Sequence, residues 1–263
     1  MAPFPHRSTP GAYESYSRQT MAYELHYWPT IQGRGEFVRL ALEAAGAPYI
    51  DVARGPADSG RGLPNMLRHL QDGTAAHPPF APPFLKDGDM IVGQTAAILH
   101  YVAPQLKLVA RSEQARVWTQ QIQLTIADMV TEAHDAHHPI GSGLYYEEQK
   151  PEALRRAKEF CGVRMPKFMQ WFESIVVRNP AGSRHLVGGK LSYADLSLFQ
   201  LVEGLKYAFP NAAQRTLALT PAVVRLHDRV AALPRVAAYL RSDRRIPFNE
   251  QGIFRRYPEL DAS

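Results

Sequence analysis

Cysteine is all but missing from this chain of 263 residues, in which Cys161 carries the single thiol. One thiol excludes an intrachain disulfide framework, a CxxC redox pair and a four-cysteine zinc site, and it suits a reducing, cytoplasmic setting. Long apolar runs are missing too. None approaches the ~20 residues that cross a bilayer, so no membrane role is expected. There is no basic stripe with interleaved aromatics, so the net charge of +5 and pI near 9.3 fit acidic small molecules and do not point to nucleic acid. Residues 1–20 hold three prolines and no apolar segment, and read as a disordered tail in place of a secretory signal. Residues 249–263 read as a second tail, which either folds back over a cleft or hangs free.

What is present starts with residues 23–39, YELHYWPTIQGRGEFVR. Residues 23–27 alternate on a β-prone run, Pro29, Gly33 and Gly35 then break the chain, and Glu36, Phe37, Leu40, Ala41, Ala44 and Ala45 open a helical pattern. The order is strand, loop, helix. A tyrosine at the end of such a strand, Tyr27, projects its hydroxyl beside the helix N-terminus, where backbone N–H groups and the helix dipole favour negative charge. Arg34 adds a full positive charge to that corner, which is suited to hold an anion.

A second strand fits residues 48–53, with Gly46 closing the helix before it. A short helical candidate lies near residues 64–70. Residues 82–92 read as two strands joined at Asp87-Gly88, a hairpin signal, and residues 94–102 as a helix. Beyond a linker at 104–112 the chain turns all-helical. One long helix fits residues 113–138, with Trp118, Ile122, Thr125, Ile126, Met129 and Ala133 on an apolar face. Another fits 151–177, with Phe160, Val163, Phe168, Trp171 and Phe172 for its core. Ser192-Tyr-Ala-Asp195 is a capping box for a third, and two more fit 221–232 and 234–240.

In this order and spacing the motifs resemble the cytosolic glutathione transferases over about residues 21–248. The resemblance rests on Tyr23-x-x-x-Tyr27 with Gly33-Arg34-Gly35-Glu36, on Pro83, Asp87-Gly88-Asp89 and Gln94-Thr95, on Asp128-Met129-Val130, and on Leu186-Val-Gly-Gly-Lys-Leu-Ser-Tyr-Ala-Asp195. It is similar to the tyrosine-type classes (pi, mu, alpha and sigma). The resemblance implies an α/β plus all-α chain: a thioredoxin-like domain over residues 21–103, then an all-helical domain over 113–248. It also implies glutathione as co-substrate, an apolar site for a small hydrophobic electrophile between the domains, and a homodimer. The expected activity is conjugation of glutathione. A glutathione-dependent isomerase or peroxidase, or a non-enzymatic ligand-binding member of the fold, is the alternative.

By this resemblance Tyr27 is the catalytic residue. A free thiol has a pKa of roughly 8.5, and a hydrogen bond given to the thiolate favours it by about 1.4 kcal/mol per pKa unit of lowering. Arg34, Pro82, Pro83, Gln94, Thr95 and Asp128 are the expected glutathione contacts, with Asp128 reaching across the dimer. Pro82 has no N–H, so only its carbonyl is left to meet a peptide backbone. Counting back from Gln94 favours Pro83 as a cis residue, and Pro82 is the alternative. Trp28, Ile31, His138, Tyr207 and Phe248 are the expected electrophile pocket. Arg54, Arg61 and Arg68 are the open candidates for the glycine carboxylate. The chain has no lysine before Lys86, where the family often has one in that role. His134, His137 and His138 share one face at metal-ligand spacing, but a further ligand is missing nearby and no metal is expected. They read as cleft-lining or solvent-facing histidines at a helix C-terminus, where the protonated form also suits the dipole. Cys161 reads as a core residue.

Overall fold

A computed structural model describes residues 22–141 and 143–261; the expected tail at 1–20 lies outside them. Strand β1 (Tyr23–His26) is followed by helix α1 (Gly35–Ala45), strand β2 (Tyr49–Asp51), helix α2 (Leu63–Gln71), strands β3 (Phe84–Asp87) and β4 (Met90–Gly93) and helix α3 (Thr95–Leu106). The sheet order is β2-β1-β3-β4, with β1 parallel to β2 and antiparallel to β3. Alternation sorts the faces. Leu25 and Leu85 turn to α1 and α3, where Val38, Leu42, Ile98 and Val102 are buried, while Phe84 turns to Met66 of α2. This is the expected thioredoxin-like layer. Helix α3 runs through Pro104, so the region read as linker begins inside a helix. A proline this close to a helix end removes a single late hydrogen bond.

The second layer holds α4 (Glu113–Asp135), α5 (Lys150–Glu159), α6 (Met165–Arg178), α7 (Tyr193–Ala208), α8 (Pro210–Ala218), α9 (Pro221–Ala231) and α10 (Pro234–Leu240). Nearly every residue of α7 is buried, which makes it the axis of this layer. Its start is the expected capping box: the Asp195 N–H donates to Ser192 Oγ, and Asp195 Oδ2 accepts from the Ser192 N–H at 2.7 Å. Asp195 Oδ1 also accepts from the Leu186 N–H at 2.8 Å, which fixes the preceding loop. Helix α1 is shared between the layers. Val38 and Leu42 face the sheet, and Phe37, Leu40 and Ala41 join the helical core.

Two readings of the second layer change. The helix expected over 151–177 is continuous but contains a π turn at Phe160–Arg164. One extra residue per turn slips the 3.6-residue phase, so Val163, read as core, is 58% exposed while Phe160 and Phe172 stay buried. Helix α8 lies where the sequence pattern gives no helix. Its N-terminus is capped from far away, by Asp261, whose carboxylate accepts from the Asn211 and Ala212 N–H groups at 2.7 and 2.9 Å. The segment after residue 248 therefore folds back: Ile253, Phe254 and Leu260 are buried, and a side chain at Gly204 would collide with the Phe254 ring.

Candidate active site

Tyr27 follows β1 directly and is 4% exposed. Its Oη accepts a hydrogen bond from the Arg34 N–H at 2.9 Å, so its own proton is left to give. Burial raises the phenol's pKa against the pull of the Arg34 and Gly35 N–H groups and the Arg34 and Arg39 charges; the ring stays a donor and does not act as a base. Glycine makes the fit possible. A Cβ at Gly33, whose φ is +44°, would lie 2.0 Å from Tyr27 Oη, and one at Gly35 would lie 2.5 Å from the ring.

The β ladder collects the other expected residues. His26 pairs with Phe84, and Phe84 with Gly93, so the ladder ends one residue short of Tyr27, Pro83 and Gln94 on three neighbouring strands. The Pro82–Pro83 peptide is cis. Gln94 stands exposed at φ +63°, a backbone conformation that few non-glycine residues adopt and that clusters at ligand sites. Thr95 Oγ1 donates to the Arg34 carbonyl at 3.3 Å, which ties the start of α3 to the start of α1. The guanidinium of Arg34 donates to Thr131 of α4 at 3.4 Å. Asp128 lies one helical turn before Thr131, exposed on the same stripe. Arg54 is engaged elsewhere, donating to the Asp243 and Arg244 carbonyls.

The residues expected to line an electrophile pocket sit on the 28–34 loop, just past the end of α4, on α7 and on the segment after α10. Tyr207 and Phe248 stack with ring centres 4.9 Å apart, and Asn249 donates to the Thr30 carbonyl at 2.9 Å. Trp28 is 37% exposed and Ile31 half-buried on the loop. His138 is buried, and it is not alone. Arg255 donates toward His138 Nε2 at 3.5 Å, the His138 and His137 Nδ1 atoms share a short hydrogen bond, and His137 Nε2 donates to the Ile253 carbonyl at 2.7 Å. A guanidinium can only donate and a carbonyl can only accept, so the chain closes only with both imidazoles neutral. The reading of protonated histidines at this helix end is thereby corrected. Burial, helped by Arg255 and His134, lowers His137 to about 3 and His138 to about 4. Among the described residues no group of three or more His, Cys, Asp or Glu is placed to hold a metal.

Buried neutral histidines set an acid limit on stability. His26, stacked on Phe84 with both ring nitrogens unbonded, is lowered to about 3, first by burial. In the unfolded chain these rings take up protons near pH ~6.5, so between there and pH ~4 the unfolded state binds more protons than the folded one. Stability is complete above that window and falls with pH inside it, by about 2 kcal/mol per ring at pH ~5. Urea unfolding at about pH 7 and 5 should show the loss, and His26→Phe, which breaks no hydrogen bond, should reduce it by about a third. Equal stability at the two pH values would refute neutral rings.

Comparison with known proteins agrees with this geometry. A model of the "Glutathione S-transferase, C-terminal domain" family matches residues 134–243. Glutathione S-transferase P 1 of Xenopus laevis is 26% identical over 226 residues, covering 85% of this chain and 93% of its own. Glutathione S-transferase A3 of Mus musculus is 28% identical, covering 86% and 92%. The solved Pi-class glutathione S-transferase of Onchocerca volvulus shares the fold, with a TM-score of 0.67 over 88% of this chain and 99% of its own at 22% identity. Fold, motif order and these relatives point the same way: the chain is similar to the glutathione S-transferases over most of its length, and residues 134–243 match that family's C-terminal domain.

Proposed function

We propose that this protein is a glutathione transferase that holds the glutathione thiol as thiolate and adds it to a hydrophobic electrophile. The observation that carries the reading is the Arg34 N–H bonded to Tyr27 Oη, which spends the phenol's acceptor and aims its proton at the corner. Arg34, the Pro82–Pro83 turn, Gln94 and Thr95 hold the tripeptide around that point. The electrophile lies against Trp28, Ile31, His138, Tyr207 and Phe248. The chain's part is orientation and charge stabilisation, and its setting is cytoplasmic detoxification. No described helix is long and apolar enough to cross a membrane. Capture on immobilised glutathione, then turnover of halogenated aromatics, epoxides and hydroperoxides, tests the reading. Conjugation of the first two supports it, and turnover of hydroperoxides alone would replace it with a peroxidase.

The active unit in this reading is a homodimer. Phe80, 95% exposed just ahead of the Pro82–Pro83 turn, and Val117 and Leu124 on the outer stripe of α4, at 60% and 50%, are apolar groups suited to a second copy. Asp128 shares that stripe and serves the partner's glutathione through a charge-assisted hydrogen bond of about 1.5–3 kcal/mol. Asp128→Asn should therefore weaken glutathione binding roughly ten- to hundredfold. Mixing Asp128→Asn with Arg34→Ala subunits separates the arrangements: an aspartate acting across the dimer gives each heterodimer one intact site and about half of wild-type activity. If the mixture, with subunit exchange verified, is as inactive as either parent, Asp128 does not act in trans.

A further inference from the structure

The loop that supplies the Arg34 N–H is held by side chains of the other layer. Gln32, two residues before Arg34, is 4% exposed. Its Nε2 donates to the Ile246 carbonyl, and its Oε1 accepts from Gln200 Nε2 at 2.7 Å. Gln200, in the middle of α7, is fully buried, and its Oε1 accepts from Arg245 Nη2 at 3.1 Å. Arg245 Nη1 donates to Glu36 Oε1 at 2.7 Å, and that oxygen also accepts from Tyr239 Oη at 2.7 Å. The Glu36 N–H donates to the Gln32 carbonyl at 3.0 Å, the first bond of α1. The path Gln32, Gln200, Arg245, Glu36 thus returns to Gln32 and encloses the turn that carries Arg34.

A closed buried circuit of this kind fixes geometry more tightly than any one of its bonds, because each bond polarises and orients the next. The orientation of the Arg34 N–H, and so of the Tyr27 proton, depends on the 32–36 turn. The carboxamide of Gln200 is the member that joins the turn to the helical core, since it donates to the loop and accepts from Arg245. Neither Gln200 nor Arg245 lies within the Tyr27 corner itself.

We infer that Gln200 and Arg245 are positioning residues for the thiol chemistry: they act through Gln32 and Glu36 to set the Arg34-to-Tyr27 hydrogen bond, and so tune the pKa of bound glutathione. The inference rests on the thiolate role proposed for Tyr27. The readout is the pH dependence of thiolate ultraviolet absorbance in the glutathione complex, measured for wild type, Tyr27→Phe, Gln200→Met and Gln200→Glu. Arg245→Lys is added in case the first Gln200 variant does not fold. Gln200→Met loses both bonds at similar volume. Gln200→Glu keeps the acceptor for Arg245 and loses the donor to Gln32. Both should raise the bound-thiol pKa by about one unit and lower kcat/KM about tenfold at pH ~6.5, with KM for glutathione within about threefold. Ser192→Ala, which weakens a helix cap far from this turn, should lower stability with the thiol pKa unmoved.

In a Tyr27→Phe background the Gln200 substitutions should add no further shift, because the bond they orient is gone. If Tyr27→Phe raises the thiol pKa and the Gln200 and Arg245 variants do not, the positioning role is overturned while the proposed function stands. Additive shifts in the double variants overturn it as well. If Tyr27→Phe itself leaves the pKa in place, the thiolate role of Tyr27 falls and takes this inference with it.

Discussion

Tyr27→Phe should bind glutathione nearly as well as the wild type and turn it over roughly ten- to hundredfold more slowly near pH ~6.5. The phenol enters the reaction only as a donor to the thiolate, so its loss raises the bound-thiol pKa by about one to two units, and each unit removes about nine-tenths of the nucleophile at a pH below it. The defect should shrink as the pH rises, because at alkaline pH the thiol ionises without help. Stability should change little: the hydroxyl makes one hydrogen bond, from the Arg34 N–H, while the ring keeps its place over Gly35. Turnover that matches wild type from about pH 6 to 8 would remove Tyr27 from the chemistry.

Gly33→Ala should be more damaging, since it displaces the donor and its orienting loop together. The added methyl would sit 2.0 Å from Tyr27 Oη and 2.8 Å from the carbon that bears it, at a φ of +44° that a side chain rarely adopts. The tyrosine hydroxyl is not the far end of a flexible chain, because its ring is buried and held by the strand. Relief requires moving the loop, and the loop carries Arg34. Glutathione affinity and turnover should therefore both fall, with turnover reduced at least as far as in Tyr27→Phe and not restored by alkaline pH. Titration calorimetry with glutathione, paired with rates across the same pH range, separates the two variants. A Gly33→Ala protein with wild-type affinity and rate would mean that the loop yields at no functional expense.

The parts of the fold that were legible from residues are those written in local periodicity. Alternation from Tyr23 to Tyr27, the Asp87-Gly88 turn, the stripe of Ile122, Ile126, Met129 and Ala133, and the Ser192–Asp195 box each carry their own signal within a few residues, and each element stands near where it was placed. The errors fall where the deciding partner is remote. Helix α8 starts under a cap contributed by Asp261, about fifty residues on. Val163 is misassigned because it lies inside a π turn, where the 3.6-residue spacing counted from Phe160 no longer holds. The neutral state of His137 and His138 depends on Arg255 and Ile253, which no spacing in the helix announces.

The corner around Tyr27 was similarly half visible. Gly33 and Gly35 read as chain breakers, but their second use, as space for a ring six and eight residues back in the chain, appears only once the loop closes on the strand. Arg34 and Thr95 were expected as separate contacts and are joined to each other, while Thr131 was not anticipated. Gln32 and Gln200 gave no sign at all. An isolated glutamine carries little local signal, and the two are 168 positions apart.

The fully buried Glu36 has a meaning for how the chain comes apart. Its carboxylate, from the first turn of α1, is shared between Arg39 of the same helix and Tyr239 and Arg245 of the second layer, and Arg39 continues to Asp51 at the end of β2. Separating the layers would strand buried charges on both sides, a penalty of roughly 3–5 kcal/mol for one broken pair, on top of exposing the apolar faces that Phe37, Leu40 and Ala41 press into the helical core. An intermediate with one layer melted and the other intact is therefore disfavoured. The stretch at 104–112 divides the sequence into two compositions, but the melting unit is the whole: calorimetry should give one transition whose van't Hoff and calorimetric enthalpies agree.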